Sequence, residues 1–172
     1  QFDRADLINW LVCIERRQRS FAVKAETTLR LIHSDGGLLR CDRLGSVCWF
    51  YWYGEEAPTA AQLEEVSTVA AVAGVSQWRL QWMFDRGRDP HHKQLWGNGA
   101  GESQWTGEEN GVRYLFREAQ GLSPGLFLDQ RHNRRWVMEH ARDQRVLNLF
   151  SYTGGFGLCA AAGAAAEVVN VD

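Results

Sequence analysis

The sequence predicts an α+β domain followed by the opening of a doubly wound, nucleotide-binding α/β domain. Three observations carry this reading. An amphipathic helix, a series of short strand signals and one capped helix fill the first part of the chain, the order of an α+β fold. From Asp85 to Gly101 the composition shifts to Gly, Asp, Arg, His and Asn, and the apolar period is lost, as at a loop or boundary. Further on, Val146 to Phe150 reads as a buried strand, Ser151 to Gly157 as a glycine turn, Leu158 to Ala166 as a small-residue helix, and Glu167 to Asp172 as a second strand ending in an acid.

Each element has its own signal. Leu7, Trp10, Leu11 and Ile14 recur at helical spacing and Arg16, Arg17 and Arg19 follow, so residues 3 to 19 should form a helix with cations at its C-terminal end. Thr27 to His33, Leu38 to Asp42 and Ser46 to Tyr53 are rich in β-branched or aromatic residues, and tight turns at Asp35-Gly36-Gly37 and Leu44-Gly45 make them an antiparallel meander. Thr59 can cap a helix and Gln62 can close a capping box, so a helix should run to about Ala73 and stop at Gly74. Ser76 to Met83 sets Trp78, Leu80 and Trp82 against Gln77, Arg79 and Gln81, a strand with one wet face. Trp105 to Glu108 and Val112 to Phe116 flank Glu109-Asn110-Gly111, a hairpin whose Asn-Gly pair supplies the positive φ angles of a type I′ turn. After the turn at 121–125 comes a helix from about Gln130 to Ala141, with Asp129 placed to cap it and Trp136, Val137 and His140 on one side.

Composition narrows the function. With 19 Lys and Arg against 21 Asp and Glu, the formal charge is -2, and charge alone does not argue for nucleic acid. A membrane span needs about 18 consecutive apolar residues and the chain has no such run, so no membrane association is expected. With no secretory pattern before the first helix, a soluble, cytoplasmic protein is expected. Cys13, Cys41, Cys48 and Cys159 are scattered singly beside apolar neighbours and read as reduced, buried and structural. His91 and His92 beside Asp89 have the chemistry of metal ligands, but adjacent residues on an extended chain point to opposite faces, so no metal is expected. The eight tryptophans sit mostly at core positions without interleaved cations, which favours packing over base stacking.

The segment around residue 154 carries the chemistry. Glycine there lets the backbone pass close to a ligand, and the next helix offers its N-terminal amides and positive dipole end. Asp172, eighteen positions after Gly154, stands at the end of the second strand, where a carboxylate can accept two hydrogen bonds from a ribose diol. Gly155, Gly157 and Ala160 also fit the loose G-x-G-x-x-A pattern of dinucleotide binders, although Tyr152, Thr153 and Gly154 separate the strand from that pattern. An NAD-type oxidoreductase and a well-packed βα turn without a ligand therefore stand as alternatives.

Gly125-Leu-Phe-Leu128 followed by Asp129-Gln130-Arg131, and then Asn148-Leu-Phe150-Ser151-Tyr152-Thr153-Gly154-Gly155-Phe156, resemble the S-adenosylmethionine-dependent ribosomal RNA large-subunit methyltransferases of class I. The resemblance extends to Glu26 through His33, to Cys41 through Gly45 and to the hairpin at 108–111. It implies an α+β accessory, substrate-recognition domain over residues 1–101, a connecting hairpin over 102–128, and over 129–172 the start of a Rossmann-like methyltransferase domain. It further implies S-adenosylmethionine as cofactor, held by Asn148, Phe150, Ser151, Tyr152, Thr153, Gly154 and Gly155, with Asp172 on the ribose and Gln130 and Arg131 nearby. Ribosomal RNA is the implied partner. Arg16, Arg17 and Arg19, or Arg131, Arg134 and Arg135, are candidate phosphate contacts. The chain departs from the family in having Ser123-Pro124-Gly125 where Lys-Thr-Gly is usual.

A doubly wound sheet needs further strand and helix units, so the catalytic residues are expected beyond Asp172 and the cofactor is expected to bind feebly through half a site. Cys159, inside the helix, is not expected to be a nucleophile. Exposed edges of the strands at 146 and 167 suggest self-association. A non-catalytic RNA-binding module is the alternative if the natural chain ends at residue 172.

Overall fold

The computed structural model describes residues 1–33, 35, 37–84, 94–98, 104–118 and 123–172. Helix α1, Arg4–Phe21, begins where the Asp3 carboxylate accepts from the Ala5 amide, and buries Trp10, Cys13 and Ile14. Strands β1 (Thr28–Ile32), β2 (Leu39–Leu44) and β3 (Val47–Trp52) form the expected antiparallel meander. Helix α2, Ala60–Val72, has the capping box at Thr59 and Gln62 and crosses over to β4, Gln77–Trp82, which lies parallel to β3. A three-residue strand β5, Leu95–Gly97, adds antiparallel to β4 and completes the order β1-β2-β3-β4-β5. Strand β5 lies in the stretch whose composition predicts a loop, since three residues are too few for any period to show. His91, His92 and Asp89 lie outside the described residues.

Every residue of β3 is buried, because both faces of the sheet are covered. Cys48, Phe50 and Trp52 face a core built with α1 and α2, and Val47, Trp49 and Tyr51 face a second core. That second core is closed by the hairpin β6 (Gln104–Glu109) and β7 (Val112–Arg117), through Trp105, Val112, Tyr114 and Phe116. Asn110 and Gly111 take φ of 53° and 79°, as the type I′ turn requires. Of the wet face expected on β4 only Gln77 is exposed: Arg79 and Gln81 are buried, and the Arg79 guanidinium is met by the Glu118 carboxylate and the Asn98 carbonyl. A neighbour 39 residues away in sequence covers what alternation alone had assigned to solvent.

Beyond the hairpin, a 3₁₀ turn at Leu128–Gln130 leads into α3, Arg131–His140. Asp129 does not cap this helix. The Gln130 amide donates to Phe127 and the Arg131 amide to Leu128, so the turn already satisfies the amides a cap would have served. The side of α3 that faces inward is also not the apolar one. Trp136 is 60% exposed and stacks on His140 with centroids 4.3 Å apart, whereas Arg134 is only 2% exposed. Of the eight tryptophans Trp136 alone is exposed. Strand β8 (Arg145–Leu149), helix α4 (Gly155–Ala162) and strand β9 (Glu167–Val171) form a parallel β-α-β unit in register from Arg145 opposite Glu167 to Leu149 opposite Val171.

Arg134 is buried because Glu109, at the end of β6, is buried with it. The guanidinium Nε donates to Glu109 Oε2 at 2.7 Å and Nη2 to Oε1 at 2.9 Å, while Nη1 donates to the Phe127 carbonyl at 2.8 Å. Removing one partner of such a pair strands the other charge, at a cost of about 3–5 kcal/mol, whereas replacing both with apolar side chains is often nearly neutral. Arg134→Met should therefore lower stability by about 3 kcal/mol in urea unfolding, and adding Glu109→Leu should recover most of the loss. A single variant costing under about 1 kcal/mol would show that Arg131, 3.8 Å from the same carboxylate, replaces its neighbour.

Candidate functional site

The site is built at the C-terminal ends of β8 and β9, where a parallel sheet with a crossover helix leaves a crevice. Between β8 and α4 the backbone takes positive φ three times, 53° at Phe150, 52° at Tyr152 and 78° at Gly154. Glycine adopts this conformation freely, but at Phe150 and Tyr152 it costs about 1–3 kcal/mol each and has to be held by contacts. Tyr152 is held from three directions. Its amide donates to Asp172 Oδ1 at 2.7 Å, its hydroxyl donates to the Ser123 carbonyl at 3.0 Å, and its ring lies 5.3 Å from that of Phe127. The Ser151 amide donates to the Val171 carbonyl at 3.1 Å, and the Thr153 hydroxyl donates to the Gly125 carbonyl. The turn is thus pinned to the end of β9 on one side and to residues 123–127 on the other.

This arrangement brings together Ser151, Tyr152, Thr153, Gly154, Gly155 and Asp172. Phe150, 92% exposed, projects from the turn's start. Asn148 has a different place: its Nδ2 donates to Asn170 Oδ1 at 2.8 Å, bridging the two strands. Beneath that bridge a Cβ on Gly157 would stand 2.2 Å from Asn170 Oδ1, so the missing side chain lets α4 settle onto the sheet. At the far end of α4 a Cβ on Gly163 would stand 2.1 Å from the Met138 carbonyl oxygen.

Gln130 accepts from Asn133 at 2.8 Å, within its own segment. Arg131 turns toward the first sheet: Nη1 donates to the Thr28 carbonyl at 2.8 Å, and the guanidinium lies over the Phe21 ring. Burial lowers its pKa, with the Glu109 carboxylate working against that. The two arginine trios make ion pairs within the chain, although Arg16, Arg19 and Arg135 keep most of their side chains exposed. Arg16 and Arg17 bind Asp35, Arg19 binds Glu15, Arg135 binds Glu139, and Arg134 is too buried to reach a phosphate. Ser123 and Phe127 stand in the sequence only as a departure from the family and as part of its motif; that they brace Tyr152 is not legible there, because a brace 25 or more residues away leaves no periodic signal.

Cys159 is buried against Tyr114, whose hydroxyl is 3.1 Å from its sulfur, and burial raises its pKa. It has neither the exposure nor the thiolate character of a nucleophile. Among the described residues no group of His, Cys, Asp and Glu could hold a metal ion.

Residues 39–172 match the family described as S-adenosylmethionine-dependent methyltransferase. The ribosomal RNA large subunit methyltransferase I of Aeromonas salmonicida is 55% identical over 65 residues, which are 38% of this chain and 16% of that protein. The ribosomal RNA large subunit methyltransferase K/L of Hahella chejuensis is 34% identical over 118 residues, 69% of this chain and 16% of that protein. Among solved structures, SMU.776, described as a methyltransferase and complexed with SAH, matches all of this chain with a TM-score of 0.75 and 27% identity, over 46% of its own length. The chain thus spans less than half of the proteins it matches.

Two outcomes check the packing around the site. All four cysteines are buried and unpaired, so a thiol reagent at pH 8 should label none in the native chain and four in denaturant; rapid native labelling of Cys159 would contradict its placement. Gly163→Ala should lower the melting temperature more than Gly157→Ala, since the first meets backbone and the second only the movable end of Asn170.

Proposed function

The chain belongs to the S-adenosylmethionine-dependent methyltransferase family, and on that premise we propose that it binds S-adenosylmethionine at the turn after β8 and serves to methylate a base of large-subunit ribosomal RNA. The observation that carries the cofactor reading is the closure of the glycine turn by Asp172. A carboxylate at the end of β9, the left-handed Gly154 and the first amides of α4 converge on one crevice, the donor and acceptor set that a ribose and an amino-acid moiety require. The RNA reading is supported by the names of two relatives.

In this proposal Asp172 has two tasks. One oxygen keeps the Tyr152 amide in place, and the carboxylate accepts from the ribose diol. Ser151, Tyr152, Thr153, Gly154 and Gly155 present backbone to the methionine moiety, and Phe150 offers an apolar face at the mouth of the crevice. Asn148 keeps β8 and β9 in register beneath them. S-adenosylmethionine, when bound, supplies an electrophilic methyl group, which the base takes up as S-adenosylhomocysteine is released and a proton is lost. Residues 1–101 recognise substrate, 102–128 connect, and 129–172 hold the cofactor. Cytoplasmic location and pairing of two copies through the β8–β9 edge belong to the same proposal; among the described residues no helix is long and apolar enough to cross a membrane.

S-adenosylhomocysteine should raise the melting temperature of the chain, by mass action, and NADH should not. Asp172→Asn retains an acceptor for the Tyr152 amide but loses the charge facing the ribose. It should weaken S-adenosylhomocysteine binding about tenfold in calorimetry, the scale of one hydrogen bond to a charged group, with an unchanged melting temperature. NADH binding without a response to S-adenosylhomocysteine would overturn the assignment.

A further inference from the structure

Two cavities lie on either side of Arg30. One, of about 280 Å³, is bordered by Glu109 and Asp129, and its Arg131 already serves the Thr28 carbonyl. The other, of about 350 Å³, falls in the size range of small-ligand sites and has no carboxylate in its lining among the described residues. The walls of the second cavity combine cations with aromatic faces. Arg30 is fixed by two hydrogen bonds to Asp42, 2.7 and 3.0 Å long, and Asp42 is itself 1% exposed. Arg40 sits over the Tyr53 ring at 5.3 Å, and its own hydrogen bonds go to the carbonyls of Gly37 and Leu39. Tyr53 and Phe127 are both substantially exposed.

Position matters as much as composition. Ser123 and Phe127 line this cavity, and they are the residues that brace Tyr152 in the glycine turn. The cavity therefore shares a wall with the crevice at Asp172. Resting on the methyltransferase reading above, we propose that the 350 Å³ cavity is the seat of the target nucleotide, with an unpaired RNA base against Tyr53 and Phe127 and its phosphate toward Arg40. Aromatic faces hold any base by stacking, and Arg40, which has no carboxylate partner among the described residues, can turn its charge to a phosphate. The first sheet and the cofactor unit then each contribute half of one reaction chamber, and Arg30, held by Asp42, is a fixed positive edge between them.

The test uses a fluorescein-labelled four-nucleotide RNA, read by anisotropy, alongside calorimetry with S-adenosylhomocysteine. Tyr53→Ala should weaken RNA binding about tenfold, as loss of one stacking face does, and Tyr53→Phe should restore it. Arg40→Ala should weaken binding and flatten its salt dependence, while Arg113→Ala, an exposed cation on β7, should leave both unchanged. S-adenosylhomocysteine affinity should be the same in all four variants. RNA binding insensitive to Tyr53 and Arg40, or equally weakened by Arg113→Ala, would overturn the cavity assignment while S-adenosylhomocysteine binding left the cofactor reading standing. Failure of the unaltered chain to bind S-adenosylhomocysteine would remove both.

Discussion

The buried pair of Glu109 and Arg134 is the interaction on which the rest of the arrangement depends. It joins the end of β6 to the middle of α3 through two hydrogen bonds, and a third from the same guanidinium fixes the Phe127 carbonyl. Packing alone would not hold α3 in one place, since most of its surface is polar and its one large aromatic, Trp136, is exposed. A charge pair taken out of water contributes little net stability but penalises every arrangement in which either partner is left alone. Here that penalty sets the position of α3 on the hairpin.

From α3 the constraint passes to the site. Helix α4 packs against α3 at a point where only a glycine fits, Gly163 over the Met138 carbonyl, and against β9 at Gly157. A Cβ on its first residue, Gly155, would stand 3.0 Å from Leu126, 3.7 Å from Arg134 and 4.0 Å from Tyr114. With both ends of α4 fixed, the turn that precedes it has little freedom, and the strained backbone at Tyr152 is held by Asp172 below and residues 123–127 beside it. Contacts from three elements distant in sequence thus fix where α4 begins.

Much of this was legible in the sequence, and the failures share a cause. The capping box at Thr59, the Asn-Gly turn and the order strand-turn-helix-strand ending at Asp172 depend on neighbours within a few residues, and each is present; the helix, however, runs over Gly155–Ala162 instead of Leu158 to Ala166, and the strand read as buried leaves Leu147 and Leu149 62% and 55% exposed. The burial of Arg79 and Gln81 on β4, the uncapped start of α3 and the burial of Arg134 depend on partners brought in by the fold. Arg134 reads as a surface cation in any local window, and only Glu109, 25 residues earlier, makes it a core residue. Arg131 likewise has a partner that no local window shows, the Thr28 carbonyl 103 residues back in β1. Within the turn, the site residues came from spacing and resemblance together, whereas the contacts of Ser123 and Phe127 with Tyr152 needed the structure.

The central claim is that the Asp172-closed turn, held in place through α3 and the buried pair, is where S-adenosylhomocysteine binds. Amide NMR spectra recorded during a titration with that ligand address it residue by residue. The signals of residues 151–157 and 170–172 should move together with a single dissociation constant, and Glu109→Gln should weaken that binding although Glu109 lies outside the crevice. Shifts confined to residues around Phe21 and His132, or binding indifferent to Glu109, would contradict it.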